Sequence, residues 1–155
     1  YFAPGAGQVN GALAPRSAGS TLKPFVYALA LDGGLITPAT VLPDVPRQFP
    51  DYRPENFDRS FLGLVSARDA LVLSLNLPLL ELTQQLGVGR VLGALRACGL
   101  ATLDRPAAQY GLGLALGNAE VRLLDLANAY AALARDWLAG QGIEPEWIEA
   151  RERAQ

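Results

Sequence analysis

The chain has 155 residues, half of them hydrophobic and 18% charged, with a formal net charge of −2. That size and apolar content fit one compact domain and exclude disorder as the main state, while the slightly acidic balance offers no basic field to hold nucleic acid or an anionic membrane. With no His and one Cys, Cys98, the common zinc sites, His-based triads and an internal disulfide are excluded. No stretch approaches the roughly 18–20 apolar residues of a membrane span. The N-terminus lacks a leader pattern and the chain has no Met, so its start reads as a cut through a longer protein.

Residues 1–19 are rich in Gly, Ala and Pro and read as loop or edge, with Gln8 to Leu13 as the end of a strand. Ser20 to Leu31 predicts a buried helix stopped at Asp32-Gly33-Gly34. From Pro38 to Phe61 five prolines forbid long helices and central strands, which predicts a long ordered loop packed through Tyr52, Phe57 and Phe61. Ser66 three residues before Asp69 has the grammar of a helix start, and that short helix is expected to end near Ser74. Pro78 suits the first residue of a further helix to Leu86, stopped by Gly87, and Val88 to Cys98 reads as another, stopped by Gly99.

Tyr110 to Gly117 is glycine-laced and apolar. Its Gly111-x-Gly113-x-x-x-Gly117 spacing is wrong for a dinucleotide loop and predicts close packing. Asn118 is the expected cap of a helix over 119–135 that is buried on most sides. Beyond Arg135 the composition changes: residues 136–155 carry five acids and two arginines, against ten acids and eleven bases before them. The expected organisation is a main unit over 1–135 and a divergent acidic tail over 136–155.

Lys23 is the sole lysine of the chain and falls three residues after Ser20. On a helix, i and i+3 share a face. Burial and the positive end of the helix macrodipole both lower a lysine pKa, and a neutral amine beside a hydroxyl can activate it as a nucleophile without histidine. The simpler reading makes Ser20 a cap and Lys23 a solvated first-turn residue. Pro24 disfavours helical geometry at Lys23, so surrounding structure has to hold that turn. Ser74-Leu75-Asn76 can point a hydroxyl and an amide out of one turn, or Asn76 can simply cap the next helix. Cys98 reads as a buried small hydrophobe, and Asp51, Glu55 and Asp58 as a solvated loop rather than a metal set.

Three segments in order, Gly19-Ser20-Thr21-Leu22-Lys23-Pro24-Phe25, Tyr52-x-Pro54-x-Asn56-Phe57-Asp58-x-x-Phe61-x-Gly63 and Ser66-x-Arg68-x-Ala70-Leu71-x-x-Ser74-Leu75-Asn76-x-Pro78, closely resemble the transpeptidase domain of class A penicillin-binding proteins. Ala14-Pro15-Arg16-Ser17 is most similar to the C-type branch, and Gly117-Asn118-Ala119-Glu120-Val121 through Ala131 to the helix that follows in the family. The resemblance runs from about Gln8 to Arg135.

It implies that Ser20 is the acylated nucleophile, Lys23 its proton acceptor, Ser74 a proton relay and Asn76 a ligand for a substrate carbonyl. No cofactor or metal is implied. The implied partners are the D-Ala-D-Ala stem peptide of peptidoglycan and the β-lactams that mimic it, on the periplasmic side of the bacterial inner membrane. The family's third motif, a Lys-Thr-Gly or similar on a strand, is absent after Asn76. The expected fold is therefore a mainly helical piece of the α/β serine β-lactamase and transpeptidase-like fold with most of its central sheet missing, weak or inactive alone. The competing expectation is a noncatalytic helical remnant that self-associates through its exposed apolar surface.

Overall fold

The computed structural model describes residues 9–48, 54–56 and 59–140, with side chains described as far as Arg135. Its central element is α1 (Lys23–Asp32), preceded by a 3-10 turn at Gly19–Leu22. Leu22, Val26 and Ala30 are fully buried at four-residue spacing, as expected of a core helix. They pack with Leu79 and Leu82 of α3 (Asn76–Leu86) and with Val91 and Leu95 of α4 (Val88–Ala97) in one hydrophobic cluster. Gly33 caps α1, its N–H donating to the carbonyls of Leu29 and Leu31.

The helix start read at Ser66 has the expected chemistry. Ser66 caps α2 (Ala67–Val72): its hydroxyl oxygen accepts from the Asp69 N–H at 3.0 Å and its O–H donates to the Asp69 carboxylate at 2.7 Å. α3 begins two residues before Pro78, at Asn76, because a proline is tolerated throughout the first turn, where N–H groups have no intrahelical acceptor. Cys98 is the C-cap of α4 and half-buried.

Four readings of the sequence are corrected. Residues 11–13 form a turn instead of a strand end, and the strand lies later, at β1 (Arg16–Ser17). The proline-rich region holds a strand, β2 (Val41–Asp44), antiparallel to β3 (Gly63–Ser66). Pro43 is tolerated there because a two-stranded sheet has only edge strands, where a missing donor can face away from the partner. Asn118 does not cap a helix: Glu120–Val121 forms β4, paired antiparallel with β1, and α6 begins only at Leu123. Finally, α6 (Leu123–Gly140) is not buried on most sides, since Leu123 and Leu124 are 60% and 49% exposed while Ala129 is fully buried. The change of charge after Arg135 falls inside this helix, and residues 141–155, with Trp147 and Pro145, lie outside the described part, as do Asp51, Tyr52, Phe57 and Asp58.

The glycine-laced segment folds as a short helix, α5 (Ala107–Tyr110), and a 3-10 turn at Gly111–Leu116. The close packing predicted for it is most acute at Gly117, which has φ +81° and lies against the backbone of Gly19: a Cβ there would fall 2.1 Å from the Gly19 nitrogen. Gly117→Ala combines a left-handed backbone with that collision, and we expect it to lower stability by about 2 kcal/mol or more and the Tm by roughly 4–8 °C. Gly89→Ala is the control. Gly89 lies in α4 with open space around it, so thermal unfolding should show a gain of about 0.5–1 kcal/mol from helix propensity.

Candidate active site

Pro24 would ordinarily push Lys23 out of helical geometry, yet Lys23 is helical, at φ −56° and ψ −46°, and its N–H donates to the Ser20 carbonyl. Three contacts hold the turn. Ser17 donates from Oγ to the Gly117 carbonyl at 2.8 Å, the Ala18 N–H donates to the Ala119 carbonyl at 3.3 Å, and Tyr130 of α6 donates from Oη to the Thr21 carbonyl at 2.7 Å. Tyr130 also stands edge-on to Phe25 of α1, ring centroids 5.1 Å apart. The nucleophile candidate therefore sits on a segment clamped by chain a hundred or more residues later.

The turn that carries Ser74 is a complete helix-ending motif. The Ser74 N–H donates to the Leu71 carbonyl at 3.0 Å and the Leu75 N–H to the Ala70 carbonyl at 2.9 Å. That pair of bonds defines the Schellman ending, which places its penultimate residue in the left-handed region and usually fills it with glycine. Here Ser74 occupies it, at φ 55°. The cost is of order 1 kcal/mol, and the return is a hydroxyl at that place and a carbonyl turned toward α1.

Lys23 meets that carbonyl. Its side chain is 1% exposed, and Nζ donates to the Ser74 carbonyl at 2.5 Å, to Asn76 Oδ1 at 2.7 Å and, more weakly, to the Leu75 carbonyl at 3.4 Å. All three acceptors are neutral. With no carboxylate among its hydrogen-bond partners, burial lowers the lysine pKa from 10.5 to about 8. Its place at the first residue of α1 works in the same direction. Asn76 is also held from its other end, Nδ2 donating to the Glu55 carbonyl at 2.8 Å.

Ser20, Ser74, Asn76 and Asn56 line one open cleft of about 680 Å3, with Leu62 and Leu73 as apolar walls. Ser20 is exposed at its edge, and no hydrogen bond joins its hydroxyl to Lys23 or to another described residue. Lys23 bonds the carbonyl of Ser74 instead of its hydroxyl. The structure thus brings Lys23, Ser74 and Asn76 into direct contact and sets Ser20 on the same cleft, one turn before the lysine. A smaller apolar hollow of about 210 Å3 between α1 and α2 offers no comparable group: the hydroxyl of Tyr27 beside it is buried, and burial with the nearby Asp44 charge pushes its pKa well up.

Sequence reasoning missed Asp44, whose carboxylate is fully buried and which carried no local signal inside the proline-rich stretch. Asn56 stood in a quoted motif without a role. In the structure its Nδ2 donates to Asp44 Oδ1 at 2.7 Å and to the Ser60 carbonyl at 2.9 Å, and its Oδ1 accepts from the Asn76 N–H at 2.8 Å.

Two outcomes follow from this geometry. Because Lys23 is the only lysine, selective lysine labelling gives one side-chain NMR signal, expected to titrate near pH 8. Between pH 8 and 10.5 the unfolded lysine binds a proton that the folded one has released, so stability rises with pH across that window. In urea titrations the wild type should gain up to about 3 kcal/mol on Lys23→Met over that range. At position 74, Ser74→Gly should be about 1 kcal/mol more stable than Ser74→Ala, although both lose the hydroxyl, because only glycine relieves the left-handed backbone.

Comparison with known proteins identifies the family. The family model described as penicillin binding protein transpeptidase domain matches residues 8–147. Penicillin-binding protein 1C of Escherichia coli K12 is 51% identical over 126 residues, covering 81% of this chain and 16% of that protein. Penicillin-binding protein 1A of Pseudomonas aeruginosa is 34% identical over 142 residues, covering 88% and 16%. Among solved structures, PonA1 from Mycobacterium tuberculosis in complex with penicillin V superposes with a TM-score of 0.72 at 26% identity, over 83% of this chain and 37% of that one. Penicillin-binding protein 1A from Haemophilus influenzae gives 0.68 at 32%, over 81% and 19%. The chain spans about a sixth of the length of the curated relatives it matches. In fold it is a mainly helical portion of theirs with two small sheets, and it belongs to the transpeptidase domain family of penicillin-binding proteins.

Proposed function

We propose that this chain carries the acylation centre of a serine D,D-transpeptidase of bacterial peptidoglycan synthesis, acting on the periplasmic side of the inner membrane. The observation that carries the reading is a lysine almost wholly withdrawn from water against the 74–76 turn, whose Ser74 and Asn76 line the same cleft as Ser20.

In this reading Ser20 Oγ attacks the carbonyl carbon of the D-Ala-D-Ala bond while its proton passes to the neutral amine of Lys23. The peptide C–N bond breaks, the leaving D-Ala amine takes up a proton relayed through the Ser74 hydroxyl, and an acyl-ester on Ser20 remains. An acceptor amine then attacks the ester, restoring the serine and closing the cross-link. Asn76 has a second Nδ2 hydrogen beyond the one given to Glu55, and it serves the substrate carbonyl. A lysine with pKa near 8 suits the base role, since a proton acceptor works best when its pKa lies close to the operating pH. A β-lactam ring opens by the same attack, and the similar PonA1 structure holds penicillin V.

A fluorescent penicillin tests this. We expect a covalent adduct on Ser20 that is lost in Ser20→Ala, and acylation slowed by roughly 10²-fold or more in Lys23→Ala or Ser74→Ala. The acylation rate should climb as pH passes through about 8, where the amine gives up its proton. An adduct that persists in Ser20→Ala defeats the assignment, and a chain that forms none at saturating penicillin is a noncatalytic helical remnant.

A further inference from the structure

The first N–H of an α-helix has no intrahelical acceptor. Asn76 opens α3, and its N–H is received by Asn56 Oδ1, from a segment twenty residues earlier in the chain. Asn76 is also the residue that meets Lys23 Nζ. The direction of the Asn76 backbone, and with it the reach of its side chain to the lysine, therefore depends on which end of the Asn56 amide faces it.

An amide side chain has an oxygen end and an NH2 end of nearly equal size, and only its partners decide between them. At Asn56 the decision is made jointly by the Ser60 carbonyl, which accepts from Nδ2 at 2.9 Å, and by the carboxylate of Asp44. Its Oδ2 accepts from the Leu62 N–H at 2.9 Å and its Oδ1 from Asn56 Nδ2 at 2.7 Å, so both carboxylate oxygens are spent as acceptors. Asp44 is 0% and Asn56 5% exposed, which leaves little room for water to replace either bond. Were the amide turned over, two oxygens would face each other at Asp44 and two donors at Asn76, a buried mismatch at both ends.

We infer that Asp44 and Asn56 form a positioning relay for the candidate active site: the Asp44 carboxylate locks the Asn56 amide with its oxygen toward the Asn76 N–H, and so holds the 74–76 turn against Lys23. Asp44 is not among the residues that line the cleft, whereas Asn56 is, and the relay runs from strand β2 to the first turn of α3. It deepens the acyl-transfer reading of the cleft, but its geometric part stands without that reading.

The test is an exchange of the two groups. Asp44→Asn removes the acceptor-only group, letting the Asn56 amide turn over. The double variant Asp44→Asn with Asn56→Asp restores a donor at 44 toward an acceptor at 56, and a carboxylate at 56 presents an oxygen to Asn76 in either orientation. The Ser60 carbonyl loses its donor and faces a carboxylate oxygen, so the double variant is expected to be less stable than the wild type while Asn76 keeps its acceptor. Amide hydrogen exchange, read on the full chain, should be roughly tenfold or more faster at Asn76 in Asp44→Asn, with core amides such as Leu82 unchanged, and should return close to wild type in the double variant. Fluorescent-penicillin acylation should be slowed by about tenfold or more in Asp44→Asn, at an unchanged half-saturating penicillin concentration.

Unchanged exchange at Asn76 in a folded Asp44→Asn protein overturns the relay, and so does equal acceleration at Asn76 and Leu82, which marks general loosening. If Asp44→Asn does not fold, the double variant decides: a folded double variant with an unprotected Asn76 overturns it too. Should exchange behave as expected while no variant, wild type included, is acylated, the relay stands and the transpeptidase reading fails.

Discussion

A single ammonium group, taken out of water and given only neutral oxygens, organises this molecule. Lys23 Nζ reaches the carbonyl of Ser74 and the side chain of Asn76 across more than fifty residues of chain. That contact ties α1 to the junction of α2 and α3, where the chain passes from one helix to the next. Removing a charge from water without a counter-charge is expensive. The protein meets the cost partly through three hydrogen bonds and partly by making the proton easier to lose, which is also the property an acid–base group requires.

The surrounding structure consists largely of devices that keep this arrangement from relaxing. Leu22 of the 3-10 turn and Val26 and Ala30 of α1 are fully buried and anchor this segment in the core. Ser74 keeps a left-handed backbone that a glycine would occupy at lower cost. Asp44 is buried with hydrogen bonds from Asn56 and Leu62. Beside it the Tyr27 hydroxyl is buried with no hydrogen-bond partner among the described residues. The backbone at Ser74, the buried carboxylate of Asp44 and the buried hydroxyl of Tyr27 are each a local departure from the most stable choice, as expected where function takes precedence over stability.

The sequence was most legible where chemistry is local. Ser66 and Asp69 announced their cap, Gly33 and Gly87 their helix ends, and the Ser20 and Lys23 spacing, with Ser74 and Asn76, marked the residues that share the cleft. It was least legible where a property depends on a distant partner. Pro43 argues against a strand until the strand is known to have only one neighbour. The run after Asn118 reads as one continuous helix because nothing nearby shows that Arg16–Ser17 will pair with Glu120–Val121. Leu123 and Leu124 look like core by periodicity, yet no described element covers them. Asp44 is invisible for the same reason: a lone acid among prolines gives no hint that an amide twelve residues on will be aimed by it.

The clamp on the Ser20 turn also bears on how such a chain acquires its shape during synthesis. Gly117, whose backbone lies against Gly19, and Tyr130, whose hydroxyl meets Thr21, are made about a hundred residues after the segment they hold. A ribosome-bound chain can complete α1 to α4 before either has emerged. Closing a loop of that length carries an entropic cost that has to be met before its contacts give anything back. The Ser20 turn is thus among the last parts to be fixed, and a nascent chain is a helical cluster first and gains that turn only once its α6 segment has docked.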